Sequence, residues 1–347
     1  MKATYHKYIL DFKRPSGTSR GVMTQKETWF IILEQDEKKG IGECGILHGL
    51  SADDRPDYEA KLQWTCENIS LGKDVLWEAL IEFPSIQFGV EMAFQSLASE
   101  TPFLLFPSEF TEGEKSIEIN GLIWMGEPAF MKQQIEEKLA QGFTCVKLKI
   151  GAIDFDKEMQ LLHFIRDNFT PEQVEIRVDA NGAFDLNEAL DKITQLTEFK
   201  LHSIEQPVQK NNTDRMAELC KTTPLPIALD EELIGVFLLE EKEQLLQKIK
   251  PQYIILKPSF IGGFRGTQEW ISLAKKHQIG WWITSALESN IGLNAIAQWT
   301  YLQHNLIPQG LGTGALYTNN FDCPLQVSKG QLWYEKALDW GVDFGQF

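Results

Sequence analysis

Tyr8, Leu10 and Phe12 fall at every second position near the start of the chain, the period of a half-buried strand. An apolar run over residues 28–34 is a second strand candidate. The charged stretch 35–40 turns it into a third at 41–44, which predicts an antiparallel meander. Helical patterns follow at 58–69 and 86–99. Strands followed by helices, without alternation, predict a small α+β domain. Between the first two strands lies Arg14-Pro15-Ser16-Gly17-Thr18-Ser19-Arg20-Gly21. Its Pro, Gly and hydroxyl content reads as a mobile loop, either a lid or an ordinary long hairpin connection.

From residue 116 the pattern changes to strand, helix, strand. The first strand is expected at 117–123, and Met131, Ile135 and Leu139 mark one face of the next helix, with Gly142 at its C′ position. Asp185 and Glu188 form a D-x-x-E capping arrangement ahead of Leu190, Ile193 and Leu196. Further strands read at 144–149, 174–179, 201–205, 226–230, 253–257, 280–284 and 306–311. Eight strands with seven intervening helices predict an α/β fold, a (β/α)7β TIM-like barrel over 106–320. Residues 1–105 form the α+β domain, and the segment 321–347, which lacks the barrel pattern, is expected to return to complete it.

Five of the barrel strands end on a charge. Lys149, Asp179, Glu205, Asp230 and Lys257 follow one another at intervals of 30, 26, 25 and 27 residues, room for one strand, one helix and two loops each time. In a parallel barrel the C-terminal strand ends share one face, where such barrels carry their chemistry. One acidic strand end is weak evidence, but three in register between two lysines describe a hard divalent cation held by Asp179, Glu205 and Asp230, Mg2+ first and Mn2+ second. No H-x-x-x-H or Cys/His cluster points to zinc. Lys147 and Lys149 alternate, so both face the interior, with Lys149 nearer the mouth as candidate base and Lys257 across the cavity. A salt bridge to a barrel carboxylate is the plain alternative for either lysine alone. Crowding by the metal and a second ammonium is expected to lower the lysine pKa values. A proton α to a carboxylate is weakly acidic. Removing it builds an enediolate, which a cation on that carboxylate stabilises while a lysine takes the proton.

Composition narrows the partners. The net charge of −16 argues against nucleic acid, since phosphate binding needs clustered Lys and Arg. No apolar run approaches the ~20 residues that span a bilayer, and Met1 to Lys7 lead into no long apolar stretch, so neither membrane nor signal peptide is expected. Five scattered cysteines without a C-x-x-C pair suit free thiols in a reducing cytosol. The expected partner is a small-molecule carboxylate substrate.

The set Lys147-x-Lys149, Asp179-x-Asn181, Glu205-Gln206-Pro207, Asp230-Glu231 and Lys257-Pro258 resembles the enolase superfamily, muconate-lactonizing subgroup. The resemblance spans nearly the whole chain and implies a (β/α)7β barrel with an N-terminal α+β capping domain. It makes Asp179, Glu205 and Asp230 the Mg2+ ligands, sets Lys149 and Lys257 about the substrate, and places Lys147, Arg177 and Asn181 beside it. Within the subgroup, residues 16–21, 284–292 and 310–314 are similar to those of the o-succinylbenzoate synthase family. That implies Mg-dependent syn loss of water from a cyclohexadiene carboxylate bearing a succinyl side chain. Thr18, Ser19, Arg20, Ser285, Ser289, Gly312 and Gly314 become candidate substrate contacts. Racemisation of N-acylamino acids, dipeptide epimerisation and muconate cycloisomerisation use the same lysine pair and stay open, although residues 284–289 hold no Asp-x-Asp of the kind dipeptide epimerases often show. A binding protein without catalysis would have lost a ligand or a lysine, and none is lost.

Overall fold

The computed structural model describes residues 1–18 and 21–346. Strands β1 (Lys2–Thr18), β2 (Gly21–Gln35) and β3 (Lys38–Gly45) form the antiparallel meander. β2 is apolar on both faces. Trp29, Ile31 and Leu33 pack with Leu62, Leu76 and Val90 of helices α1 (Tyr58–Glu67), α2 (Lys73–Ala79) and α3 (Pro84–Ala98), while Phe30 and Ile32 join the core that continues into the barrel. Burial on both sides is why residues 29–33 read as an unbroken apolar run rather than an alternating one. Helix α2 escaped the sequence reading because seven residues are too few to show a period. α3 lies directly on β3. A Cβ at Gly89 would collide with Cys44 Sγ, so glycine permits the close approach.

Of the stretch 14–21, expected to be a loop, the described residues 14–18 and 21 are strand. β1 runs to Thr18, with Ser16 opposite Met23 and Gly17 opposite Val22. Gly17 also bridges Met125, and the Lys13 N–H donates to the Leu316 carbonyl at 2.8 Å. Pro15, Ser16 and Gly17 carry no strand signal of their own, and partners from the barrel side impose the extended form. Ser19 and Arg20 lie outside the described residues.

Residues 117–123, read as one strand, are two: β4 (Ile117–Glu118), outside the barrel, and β5 (Gly121–Ile123), its first strand. Strands β6 (Cys145–Lys149), β7 (Glu175–Asp179), β8 (Ser203–Glu205), β9 (Ile227–Leu229), β10 (Tyr253–Leu256) and β11 (Gly280–Ile283) follow, paired in sequence order. Six helices connect them: α4 (Pro128–Ala140), α5 (Phe155–Asn168), α6 (Ala189–Leu196), α7 (Thr213–Thr222), α8 (Leu239–Ile249) and α9 (Gly263–His277). α10 (Asn290–Tyr301) follows β11. The eighth strand contracts to Gln309 and Gly310. Gln309 bridges Ile119 and Gly310 bridges Thr284, both in parallel, and these two residues close the (β/α)7β ring. Leu306 is 89% exposed and Pro308 has no N–H to give, so the strand expected over 306–311 cannot lengthen toward its start.

The C-terminal segment divides its contacts. Phe321 packs on Tyr8 and Phe30 of the first domain, while the hairpin β12 (Leu325–Ser328) and β13 (Gln331–Tyr334) pairs with β4. Two carboxylates of the first domain sit on N-termini of neighbouring barrel helices. Glu91 of α3 accepts from the Phe264 and Arg265 amides in the first turn of α9, at 2.5 and 3.2 Å, and Glu43 of β3 accepts from Ser289 and Gly292 at the start of α10. Helix dipoles favour negative charge at these ends. No helix among the described residues is long and apolar enough to cross a membrane.

Candidate active site

Strand register assembles the site. Lys149 stands opposite Asp179 on the neighbouring strand, and Asp179 opposite Glu205 on the next, so three charged groups share one layer. Asp230 and Lys257 follow directly on β9 and β10. Lys147, two residues below Lys149, also points inward, because alternate strand residues face the barrel interior. Its Nζ donates to Glu205 Oε2 at 2.7 Å and to Asp179 Oδ2 at 3.0 Å. Lys149 Nζ donates to Asp179 Oδ2 at 2.5 Å and Asn181 Oδ1 at 2.8 Å. Lys257 Nζ donates to Asp230 Oδ2 at 2.5 Å. Asn181, in the left-handed region at φ 46°, turns its amide NH2 to Glu231 Oε1 at 3.0 Å. Asn is among the few residues that adopt this conformation readily, and such strain gathers at functional sites.

These contacts set the charges. Burial alone would raise Asp179, but Lys147 and Lys149 outweigh it and hold the carboxyl well below the usual range. Asp230 is likewise lowered, burial being overcome by Lys257. Glu205 goes far the other way: burial and then the charges of Asp179 and Asp230 push it up. Burial would lower Lys147 and Lys257, yet the facing carboxylates raise both. For these two lysines the expected lowering is therefore reversed, because the nearest charges are carboxylates.

Among the described residues, no group of three or more His, Cys, Asp or Glu side chains forms a ready-made metal cage. The carboxylates are drawn onto ammonium groups instead, which take the part of a cation. The donor set still suits a hard divalent ion. It consists of oxygens alone, Glu205 Oε1 is buried without a hydrogen-bond partner, and the raised Glu205 marks a place where more positive charge is favoured.

Lys147, Lys149, Asn181, Lys257, Ser285 and Gly312 line one cavity of about 200 Å³, walled on its apolar side by Leu47, Trp124 and Phe260 among others. Three expected contacts are elsewhere. Arg177 is buried one layer lower, bound to Glu175 Oε1 at 2.7 Å and the Pro308 carbonyl at 2.8 Å, with its guanidinium over the Trp282 ring. It faces inward like Asp179, but two residues of strand carry it toward the opposite end of the barrel. The Ser289 hydroxyl is taken by Glu43, and Gly314 lies against Asn290. Thr18 continues β1, and Ser19 and Arg20 are outside the described residues. The sequence reading missed Glu43, Asn120 and Trp124. Glu43 and Ser289 are 246 positions apart, and no local pattern announces their meeting.

The chain matches two families: Enolase C-terminal domain-like over residues 130–344, and MenC, N-terminal domain, over residues 1–97. It is 48% identical to the o-succinylbenzoate synthase of Desulfotalea psychrophila, over 96% of this chain and 98% of that one. The crystal structure of MenC from the same organism superposes with a TM-score of 0.85 at 44% identity, covering 96% of this chain and 99% of the other. The L-Ala-D/L-Glu epimerase of Bacillus subtilis shares the fold, with a TM-score of 0.82 at 20% identity, covering 98% and 97% of the two chains. The protein belongs to the Enolase C-terminal domain-like family and carries the N-terminal domain of MenC.

Proposed function

We propose that the chain is an o-succinylbenzoate synthase, a lyase of menaquinone biosynthesis. It removes water from 2-succinyl-6-hydroxy-2,4-cyclohexadiene-1-carboxylate to give o-succinylbenzoate. The observation that carries the reading is the 48% identity to the Desulfotalea synthase, which extends over 96% of the chain and so takes in the first domain as well as the barrel.

Asp179, Glu205 and Asp230 hold Mg2+, or Mn2+ in its place. When bound, the ion supplies Lewis-acid charge against the ring carboxylate of the substrate. Lys149 is the base. Asp179 and Asn181 fix its nitrogen at the cavity wall, from which it takes the proton α to the carboxylate. The C–O bond to the hydroxyl on the same face then breaks as the ring becomes aromatic. The proton on Lys149 leaves with that hydroxyl as water, so the lysine is restored. Lys257, on the other side of the cavity, faces the charge of the enediolate as a cation. Lys147 balances Asp179 and Glu205 from below. Leu47, Trp124 and Phe260 exclude water around the reacting ring.

A spectrophotometric dehydration assay with the cyclohexadiene acid tests the reading, run beside a racemisation assay on N-acylated amino acids. Dehydration should dominate, and Lys149→Ala should abolish it while still binding product. Faster racemisation than dehydration, or normal kcat in Lys149→Ala, overturns it.

A further inference from the structure

Gln206 follows Glu205 and precedes Pro207, and no step of the proposed reaction uses it. It is fully buried, and its backbone lies in the left-handed region at φ 38°, a conformation that a residue with a Cβ keeps only where its surroundings hold it. That turn interrupts a ladder. β8 and β9 are parallel, with Ile204 opposite Ile227 and Glu205 opposite Ala228. The Gln206 amide donates to the Ala228 carbonyl at 2.9 Å, and parallel pairing would next bring the Asp230 amide to the Gln206 carbonyl. That carbonyl instead faces β7 and accepts from the Gly182 amide at 2.7 Å.

The side chain supplies what the backbone withdrew. Gln206 Oε1 accepts from the Asp230 amide at 3.2 Å and from the Glu232 amide at 3.3 Å. Its Nε2 donates to the Val208 carbonyl at 3.0 Å and to Glu232 Oε2 at 3.3 Å. Asp230 stands one residue beyond β9 and caps the short turn 231–233, so it lies past the end of the ladder and a carboxamide from β8 holds it. Through backbone and side chain together, Gln206 touches the segments that follow β7, β8 and β9, the strands whose ends carry Asp179, Glu205 and Asp230. The contacts need a neutral amide of this length. Asparagine is one methylene shorter, and glutamate has no hydrogen to give to Val208 or Glu232.

Three carboxylates at neighbouring strand ends repel one another, and backbone pairing fixes their spacing only as far as the ladder runs. Mg2+ demands a near-ideal octahedron of oxygens, whereas Ca2+ accepts a looser and larger shell. Ligand spacing therefore matters more to the smaller ion. We infer that Gln206 is the positioning residue of the cation site: its carboxamide holds the Asp230 backbone against β8, and the rigidity it gives favours Mg2+ over Ca2+. The inference rests on the cation site proposed above and adds what fixes its size.

The test uses the full-length protein stripped with EDTA, wild type against Gln206→Gly and Gln206→Met. Titration calorimetry with MgCl2 and with CaCl2 gives two affinities for each, and thermal unfolding without metal gives stability. Glycine suits the positive φ and removes the carboxamide, while methionine keeps the strained backbone and the length without the hydrogen bonds. The two variants therefore differ in stability, glycine being the one that relieves the backbone, but lose the same clamp. Both should bind Mg2+ about tenfold more weakly than wild type, with Ca2+ affinity changed by less than about threefold. An unchanged ratio of the two affinities overturns the inference, as does a loss of Mg2+ binding that follows metal-free stability from one variant to the other, since both describe a merely structural residue. Wild type that binds neither ion overturns the cation site itself.

Discussion

Replacing Glu43 by alanine removes the carboxylate on which α10 is seated. The side chain is fully buried and accepts four hydrogen bonds: from Thr28 Oγ1 at 2.9 Å, the Ser289 amide at 2.9 Å, the Ser289 hydroxyl at 2.5 Å and the Gly292 amide at 2.9 Å. Ser289 is the N-cap of α10 and Gly292 lies in its first turn, so a residue of the other domain satisfies amides that the helix itself leaves unpaired. A Cβ at Gly292 would stand 2.7 Å from Glu43 Oε2, which accounts for the glycine. In Glu43→Ala the two hydroxyls can turn elsewhere, and Thr28 already has the Cys44 carbonyl within 3.3 Å. The two amides cannot. Each unsatisfied buried donor costs about 1–3 kcal/mol, and the favourable charge at the helix end is lost as well, giving an expected destabilisation of about 3–4 kcal/mol. Glu43→Gln keeps the shape and one acceptor oxygen and should lose about half as much. Urea unfolding of the full chain, followed by tryptophan fluorescence and far-UV circular dichroism together, reads the difference and checks that both domains unfold as one. A Glu43→Ala protein within about 1 kcal/mol of wild type would show that the carboxylate does not hold the domains together.

Dialysis against EDTA should remove dehydration and added Mg2+ should restore it, with a matching rise in Tm because the ion binds the folded arrangement alone; full turnover in metal-free buffer would dismiss the carboxylate triad as a metal site. Lys257→Arg should retain more dehydration than racemisation, since racemisation alone asks residue 257 for a proton, and equal loss of both would merge the two roles. Burial pushes Glu91 from 4.5 up to about 7, against the hydrogen bonds from Phe264 and Arg265 that would lower it. A carboxyl raised in the folded state stabilises fully below its unfolded value and loses that contribution as pH rises through the folded one, here up to about 3 kcal/mol. Glu91→Gln should therefore flatten the fall in stability between about pH 5 and 7, measured by urea midpoints, and an unchanged slope would refute the assignment.

What the sequence made legible was periodic or repeated. Strand ends carrying Lys149, Asp179, Glu205, Asp230 and Lys257 recur at near-constant spacing, and the structure brings them to one cavity or its floor. The Met131, Ile135 and Leu139 stripe is α4, and Gly142 ends it at φ 81°. The failures lie where distant partners override local preference. Arg14 to Thr18 reads as a loop until Gly21 to Met23 and Met125 pair with it and Leu316 holds Lys13 just before it. Arg177 has the same facing as Asp179, and alternation says which way a residue points but not which layer ends at the cavity. The eighth strand carries a strand-like run, yet Pro308 and the glycines after it leave two residues to pair.

The seat of the first domain and Lys257 are joined by a short polar path. Glu43 holds Ser289. The next residue back, Glu288, is fully buried and accepts from the Ser259 hydroxyl at 2.6 Å and the Ala286 amide at 2.7 Å. Ser259 is two positions beyond Lys257, and Ala286 lines the same cavity as Lys149 and Lys257. Burial raises the Glu288 pKa, and the charge of Lys26 from β2, itself buried, is the first to oppose that rise. The loops after β10 and β11 are thus tied to each other by one carboxylate and to the first domain by another. A barrel keeps strands in place by backbone pairing, but the loops at its mouth have no such frame. Here side chains of the other domain supply it, so a change at Glu43, remote from any reacting atom, reaches the cavity wall through Ser289, Glu288 and Ala286.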